Sequence, residues 1–96
     1  MTVNYTKLGE FTAYSEQAKS ASYRRYALLH NLAGDLFRWK ECVDEPLDRA
    51  RIDRTLDEIA QADEEMRAAV EYANQAALFC GKPKITLSDL VSRKPF

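Results

Sequence analysis

Apolar residues recur along the chain with the period of a helix. Ile52, Leu56, Ile59, Asp63, Met66, Val70, Ala73, Ala77 and Cys80 fall at alternating steps of four and three. Such a row is the a/d stripe of a helix packed lengthwise against another helix, and only Asp63 breaks its apolar character. The spacing predicts a helix over about 46–80, roughly 50 Å long at ~1.5 Å per residue. Asp44 is placed to cap it, with Pro46 in the first turn and Asp48 favouring the dipole, and Gly81-Lys82-Pro83 ends it. Upstream, Leu8, Phe11, Ser15, Ala18, Ser22, Arg25, Leu29, Leu32, Leu36, Trp39 and Val43 keep the same rhythm. They predict one helix over about 5–42, capped by Asn4 or Thr6. Ser20, Ala21 and Ser22 offer no bulky packing group, so a kink is expected there if anywhere. Gly34 either weakens the helix or admits another backbone close by.

The connection at Val43–Pro46 is short, so the two helices must be antiparallel neighbours. In that hairpin Leu32 faces Ile59, Leu36 faces Leu56 and Trp39 faces Ile52. Arg25 then lands within a turn of Asp63, so the only two charges of the seam meet in one layer. A third, short helix is expected over about 87–93, with Thr86 and Asp89 as a capping box and Ile85, Leu87, Leu90 and Val91 to bury. The fold class is therefore all-α, a single helical domain over residues 1–96 built on a long antiparallel hairpin. Tyr5, Tyr14, Tyr23, Tyr26, Leu28 and Phe37 stay off the central stripe and demand a second burial face. Dimerisation into a helical bundle is the economical way to supply one.

Composition narrows the function classes. Three Gly and three Pro are too few for the turns of an all-β domain. No apolar run is long enough for a membrane span, and no charged-then-apolar leader opens the chain. Two cysteines make no disulfide scaffold. Cys42 and Cys80 lie far apart in the predicted hairpin, and reduced thiols suit a cytoplasmic setting. The single histidine, His30, has Ala27 three residues before it, so a Glu-x-x-His di-iron site and a multi-histidine metal site are both ruled out. Asp57-Glu58 and Glu64-Glu65 superficially match the paired-acid motif of all-helical nucleotide pyrophosphohydrolases. Gln61 and Ala68 stand where that motif needs its next acid, so the carboxylates are read as a solvated face. No phosphate loop or nucleophile elbow is present. The chain is not expected to be an enzyme, and no cofactor or metal is expected.

Charge is unevenly spread. Residues 1–40 carry six basic and three acidic groups, residues 41–80 four basic and eleven acidic, and the rest four basic and one acidic. Two readings follow. In one, Arg24 between Tyr23 and Tyr26, with Lys82, Lys84, Arg93 and Lys94, neutralises phosphates while the tyrosines stack on bases. In the other, a rigid helical surface meets a protein, with Tyr23, Arg24 and Tyr26 as anchors and the acidic row Asp53, Asp57, Glu64 and Glu71 facing a basic partner. The second reading is preferred. Arg24 and Arg25 leave a helix about 100° apart, and no short recognition helix follows a tight turn.

In outline the hairpin is similar to small secreted helical-hairpin proteins with a Trp-any-Gly turn. Trp39-Lys40-Glu41 has Glu where that turn needs Gly, and Ala76 stands where their C-terminal signature, four residues after Tyr72, needs an acid. Short helical chains without motifs are also frequent among accessory proteins of phages and mobile elements, which bind host enzymes and inhibit or redirect them. The expectation is accordingly a non-enzymatic interaction module, dimeric and cytoplasmic, acting on a larger enzyme or complex. Nucleic-acid binding is the alternative.

Overall fold

A computed structural model describes residues 4–91 of the chain. Asn4 opens the first helix, its side-chain oxygen accepting the backbone N–H of Lys7 at 3.1 Å. From there α1 runs unbroken over Tyr5–Glu41. The Ser20–Ser22 stretch does not interrupt it, and Ala21 within that stretch is buried. Gly34 is exposed, and no neighbour lies near the place where a Cβ would sit, so it admits no close backbone.

The second helix, α2, spans Arg49–Cys80 and starts later than the sequence suggests. Its cap is Asp48, whose carboxylate accepts the Arg51 N–H at 3.0 Å; Asp44 sits in the turn instead. Proline disfavours helical backbone in the residue before it, which keeps Glu45 out of the helix and moves the start beyond Pro46. The connection thus runs from Cys42 to Asp48, longer than the sequence reading allowed. At the far end Gly81 adopts φ 74°, the left-handed geometry that ends a helix at little cost for glycine. The third helix, α3, covers Leu87–Val91. Its predicted capping box is present: the Thr86 N–H donates to Asp89 at 2.8 Å, and the Asp89 N–H donates to the Thr86 hydroxyl at 3.3 Å. The last two residues expected in this helix lie outside the described part.

α1 and α2 pack antiparallel along their lengths in a molecule of 67 × 22 × 13 Å. The least dimension is close to the diameter of a single helix, so the hairpin is one layer thick. Only one stripe of each helix can be buried in such a layer. The buried residues are Phe11, Ser15, Ala18, Ala21, Leu32, Asp35 and Trp39 in α1, and Ala62, Met66, Ala69, Val70, Ala73, Ala76 and Ala77 in α2. Alanines dominate the α2 stripe and let the helix axes come close. Ala18, Ala62 and Ala73 have no exposed surface at all.

Half of the expected seam is displaced by one residue. The rows Phe11–Ala18–Arg25–Leu32–Trp39 and Ile52–Ile59–Met66–Ala73 face inward as expected. Between them, however, lie Asp35 rather than Leu36 and Ala62 rather than Asp63. Leu36 and Leu56 are both 49% exposed, so they do not zip the hairpin, while Leu32 is buried and Ile59 half-buried. The cause is electrostatic. Asp35 turns inward because Arg51 reaches it from α2 at 2.9 Å and Arg38 from the next turn at 3.1 Å. A carboxylate held by two guanidiniums tolerates this position, and Leu36 is rotated to the flank.

At the open end the strap after Gly81 folds back. The Asn74 side chain brackets Ile85, accepting its N–H at 2.8 Å and donating to its carbonyl at 2.9 Å. Ile85 is thereby buried with Phe11, Ala18, Val70, Ala73 and Ala77, and Leu87 and Leu90 pack on this cluster. Cys80 joins its edge and Cys42 is exposed in the turn; both are free thiols.

The closed seam predicts an asymmetry between alanines. Ala73→Leu, which overpacks the interface, costs about 1–3 kcal/mol. Ala13→Leu, on the exposed side of α1, stays within about 0.5 kcal/mol. Urea denaturation followed by circular dichroism measures both, and equal costs would contradict the one-layer packing.

Candidate functional site

Three kinds of surface remain once the seam is filled: cross-helix ion pairs, an acidic outer flank of α2, and an aromatic outer face of α1. The ion pairs come first because they decide which charges are free. Arg25 donates to Asp63 at 2.8 Å, the pairing expected from the sequence, and Arg67 donates to the other carboxylate oxygen at 2.8 Å. The hydrogen bond from Arg67, followed by its charge and by Arg25, holds the Asp63 carboxyl below the usual range against the opposing effect of burial. Arg24 crosses to α2 and binds Glu65. It is therefore held within the hairpin, which weakens its claim as a phosphate or partner contact. At the closed end Arg38 joins Asp35 to Glu45 of the turn. The hydrogen bond to Glu45 is the main reason its guanidinium binds its proton more tightly than usual.

On α2 the expected acidic row is exposed. Asp53 pairs with Arg49 at 3.2 Å, while Asp57, Glu64 and Glu71 face solvent. Among the described residues no group of three or more His, Cys, Asp or Glu side chains is arranged to hold a metal ion. No helix there is long and apolar enough to cross a membrane. Lys82 and Lys84 are exposed near the end of α2, away from the Tyr23–Tyr26 turn in sequence. Arg93 and Lys94 lie outside the described residues.

The outer face of α1 is the most unusual surface. Tyr23 is 74% exposed, Tyr26 61% and Phe37 62%. Together with Lys19, His30, Ala33 and Lys40 they fall at alternating steps of four and three, a second stripe on the side of α1 away from α2. The Tyr26 ring stacks on His30 at 6.2 Å, and the Lys40 ammonium lies over Phe37 at 5.3 Å. Lys40 also approaches Glu41, and Lys19 pairs with Glu16. Where α3 crosses onto α1, Tyr23 and Tyr26 line one side of a groove of about 710 Å³, and Leu90 and Val91 line the other.

The sequence singled out Tyr23 and Tyr26, and the structure leaves both of them open. It missed Phe37 as a member of the same row and missed the Asp35–Arg51 pair. The first was visible as a regular spacing; the second had Arg38 one turn from Asp35 as its only local sign. No family model, curated protein or solved structure matches the chain, so the site rests on its own geometry.

The Asp63 carboxyl sets a pH dependence. Its folded value lies below the ordinary Asp value of about 3.9, so its contribution is fully present above that value and fades as pH falls through it. Urea midpoints should therefore drop below about pH 4, and Asp63→Asn should flatten that drop. An identical pH profile in the variant would remove Asp63 from the electrostatics of the hairpin.

Proposed function

We propose that the protein is a non-enzymatic interaction module that offers the outer face of α1 to another protein and so modulates a larger enzyme or complex. The observation that carries this reading is the exposed aromatic row Tyr23, Tyr26 and Phe37 at heptad spacing on the side of α1 away from α2. Aromatic side chains with polar tips provide large contact areas at low entropic cost, which is why they dominate binding hot spots. Their spacing suits an amphipathic helix laid along α1, whose apolar anchors recur at the same steps.

The acidic row on α2 supports a modulator acting at a basic surface, including one that otherwise holds nucleic acid. Among the described residues no ion pair holds Asp57, Glu64 or Glu71, and all three are exposed, which leaves their charge to a partner. Action on a host enzyme, as in accessory proteins of phages and mobile elements, is the class of role that such a compact, motif-free helical surface fits. The module would work in the cytoplasm, where Cys42 and Cys80 stay reduced.

Affinity capture from lysate with the immobilised chain, read by mass spectrometry, tests the proposal. A discrete protein retained by the wild type should be lost, by at least about tenfold, with Tyr23→Ala/Tyr26→Ala. Equal retention by the variant contradicts the assignment of this face. Retardation of DNA or RNA that falls steeply with salt and disappears with Lys82→Glu/Lys84→Glu would replace the proposal with nucleic-acid binding.

A further inference from the structure

The segment after α2 is held on the hairpin in the way a peptide is held by a receptor. Gly81, with φ 74°, ends α2, and the exposed residues 81–84 carry the chain back along about 9 Å of that helix to Asn74. Between Gly81 and Val91 only Ile85 is buried. It enters the cluster of Phe11, Val70, Ala73 and Ala77, while Leu87 and Leu90 rest half-buried against that cluster. The Asn74 amide accepts the Ile85 N–H at 2.8 Å and donates to the Ile85 carbonyl at 2.9 Å. One side chain thus makes the donor–acceptor pair that a neighbouring strand would make, and such a pair reads backbone, not sequence. Sequence is read by the apolar cluster, which takes one branched side chain and the leucines two and five residues after it.

The hold on this segment is light. α3 has five residues, too few to be stable as an isolated helix, and none of them is buried. Its capping box joins Thr86 to Asp89 inside the segment, so those bonds travel with it when it leaves. Gly81 and the exposed residues after it form a hinge that absorbs backbone rotation outside the seam. α1 and α2 stay joined by their own ion pairs and by the alanine stripe. We propose that residues 82–91 are a displaceable in-cis occupant of a peptide-binding shelf at the open end of the hairpin. The ligand is a segment of another protein with the same pattern. It presents a β-branched aliphatic residue whose backbone pairs with Asn74, then leucines two and five residues on, carried by a helical turn. The tether sets the threshold for exchange. A short linker holds its own segment at an effective concentration on the order of millimolar, and a ligand must outcompete that segment to occupy the shelf.

This inference does not depend on the aromatic face of α1, because the probe is a fluorescein-labelled synthetic peptide of residues 81–91 and the shelf lies around Asn74. Ile85→Asp in the full chain removes the in-cis anchor. That variant should keep the helical circular dichroism spectrum and bind the peptide saturably in anisotropy titrations. The wild type, whose shelf is filled, should bind it at least about tenfold more weakly, and so should Ile85→Asp/Asn74→Ala. In the wild type the Ile85 amide should exchange with deuterium at least about tenfold faster than the Val70 amide of α2, and Asn74→Ala should speed only the first. Loss of the helical spectrum in Ile85→Asp overturns the proposal, as does a folded variant that binds no peptide. Equal binding by wild type and variant, or Ile85 and Val70 amides that exchange together, overturns it as well. A wild-type dimer in sedimentation equilibrium that Ile85→Asp dissolves would give the shelf to a second copy and overturn the separate ligand.

Discussion

The hairpin is one helix thick, and most of its other features follow from that constraint. Two cylinders side by side can hide one stripe each. α2 fills its stripe with small side chains: Ala62, Ala69, Ala73, Ala76 and Ala77. Close approach gains contact but leaves little apolar volume between the helices. The larger groups that would enlarge a core, such as Tyr23, Tyr26 and Phe37, are left outside it. The chain compensates at one end by folding α3 and Ile85 back over the flank, where the Asn74 bracket meets the hydrogen-bonding needs of the buried strap.

Charges do the work of specificity that the thin core cannot. Asp35 with Arg51, Arg24 with Glu65, and Arg25 with Asp63 each tie α1 to α2 at a different height. Single exposed pairs of this kind contribute little stability. Three of them at fixed heights penalise any slip of one helix against the other, because a slip would leave Asp35 buried without its partner. The same pairs remove Arg24 and Arg25 from the free surface. Lys82 and Lys84 near the strap stay exposed, and what lies open along α1 is mainly aromatic.

Much of this fold could be read from residue spacing, and the misreadings share one cause. A four-three stripe that passes through Leu32 and Trp39 can step between them through Asp35 or Leu36 and keep its period. The same choice arises at Thr55 or Leu56 and at Ala62 or Asp63. Hydropathy favours the leucines. The structure takes the other branch because Arg51 stands opposite Asp35 and because alanine at 62 brings the helices nearer. Pairing across helices is not local information, so the sequence could place Arg25 near Asp63 but could not weigh Asp35 against Leu36. The late start of α2 has a similar origin, since Asp44 and Asp48 are equally good caps by type and only the backbone restriction before Pro46 separates them. Of the candidate site, Tyr23 and Tyr26 were visible as aromatics off the main stripe. Arg24 was not recognisable as a fixed group, because its partner Glu65 lies 41 residues away.

The alignment of the two helices carries all the surface assignments, and one contact reports on it directly. The rings of Tyr14 and Tyr72 lie 5.2 Å apart between centroids, bridging α1 and α2 near the open end. Nuclear Overhauser spectra should show cross-peaks between the ring protons of these two tyrosines. Cross-peaks from Tyr72 to a different turn of α1, or none to α1 at all, would contradict the hairpin described here.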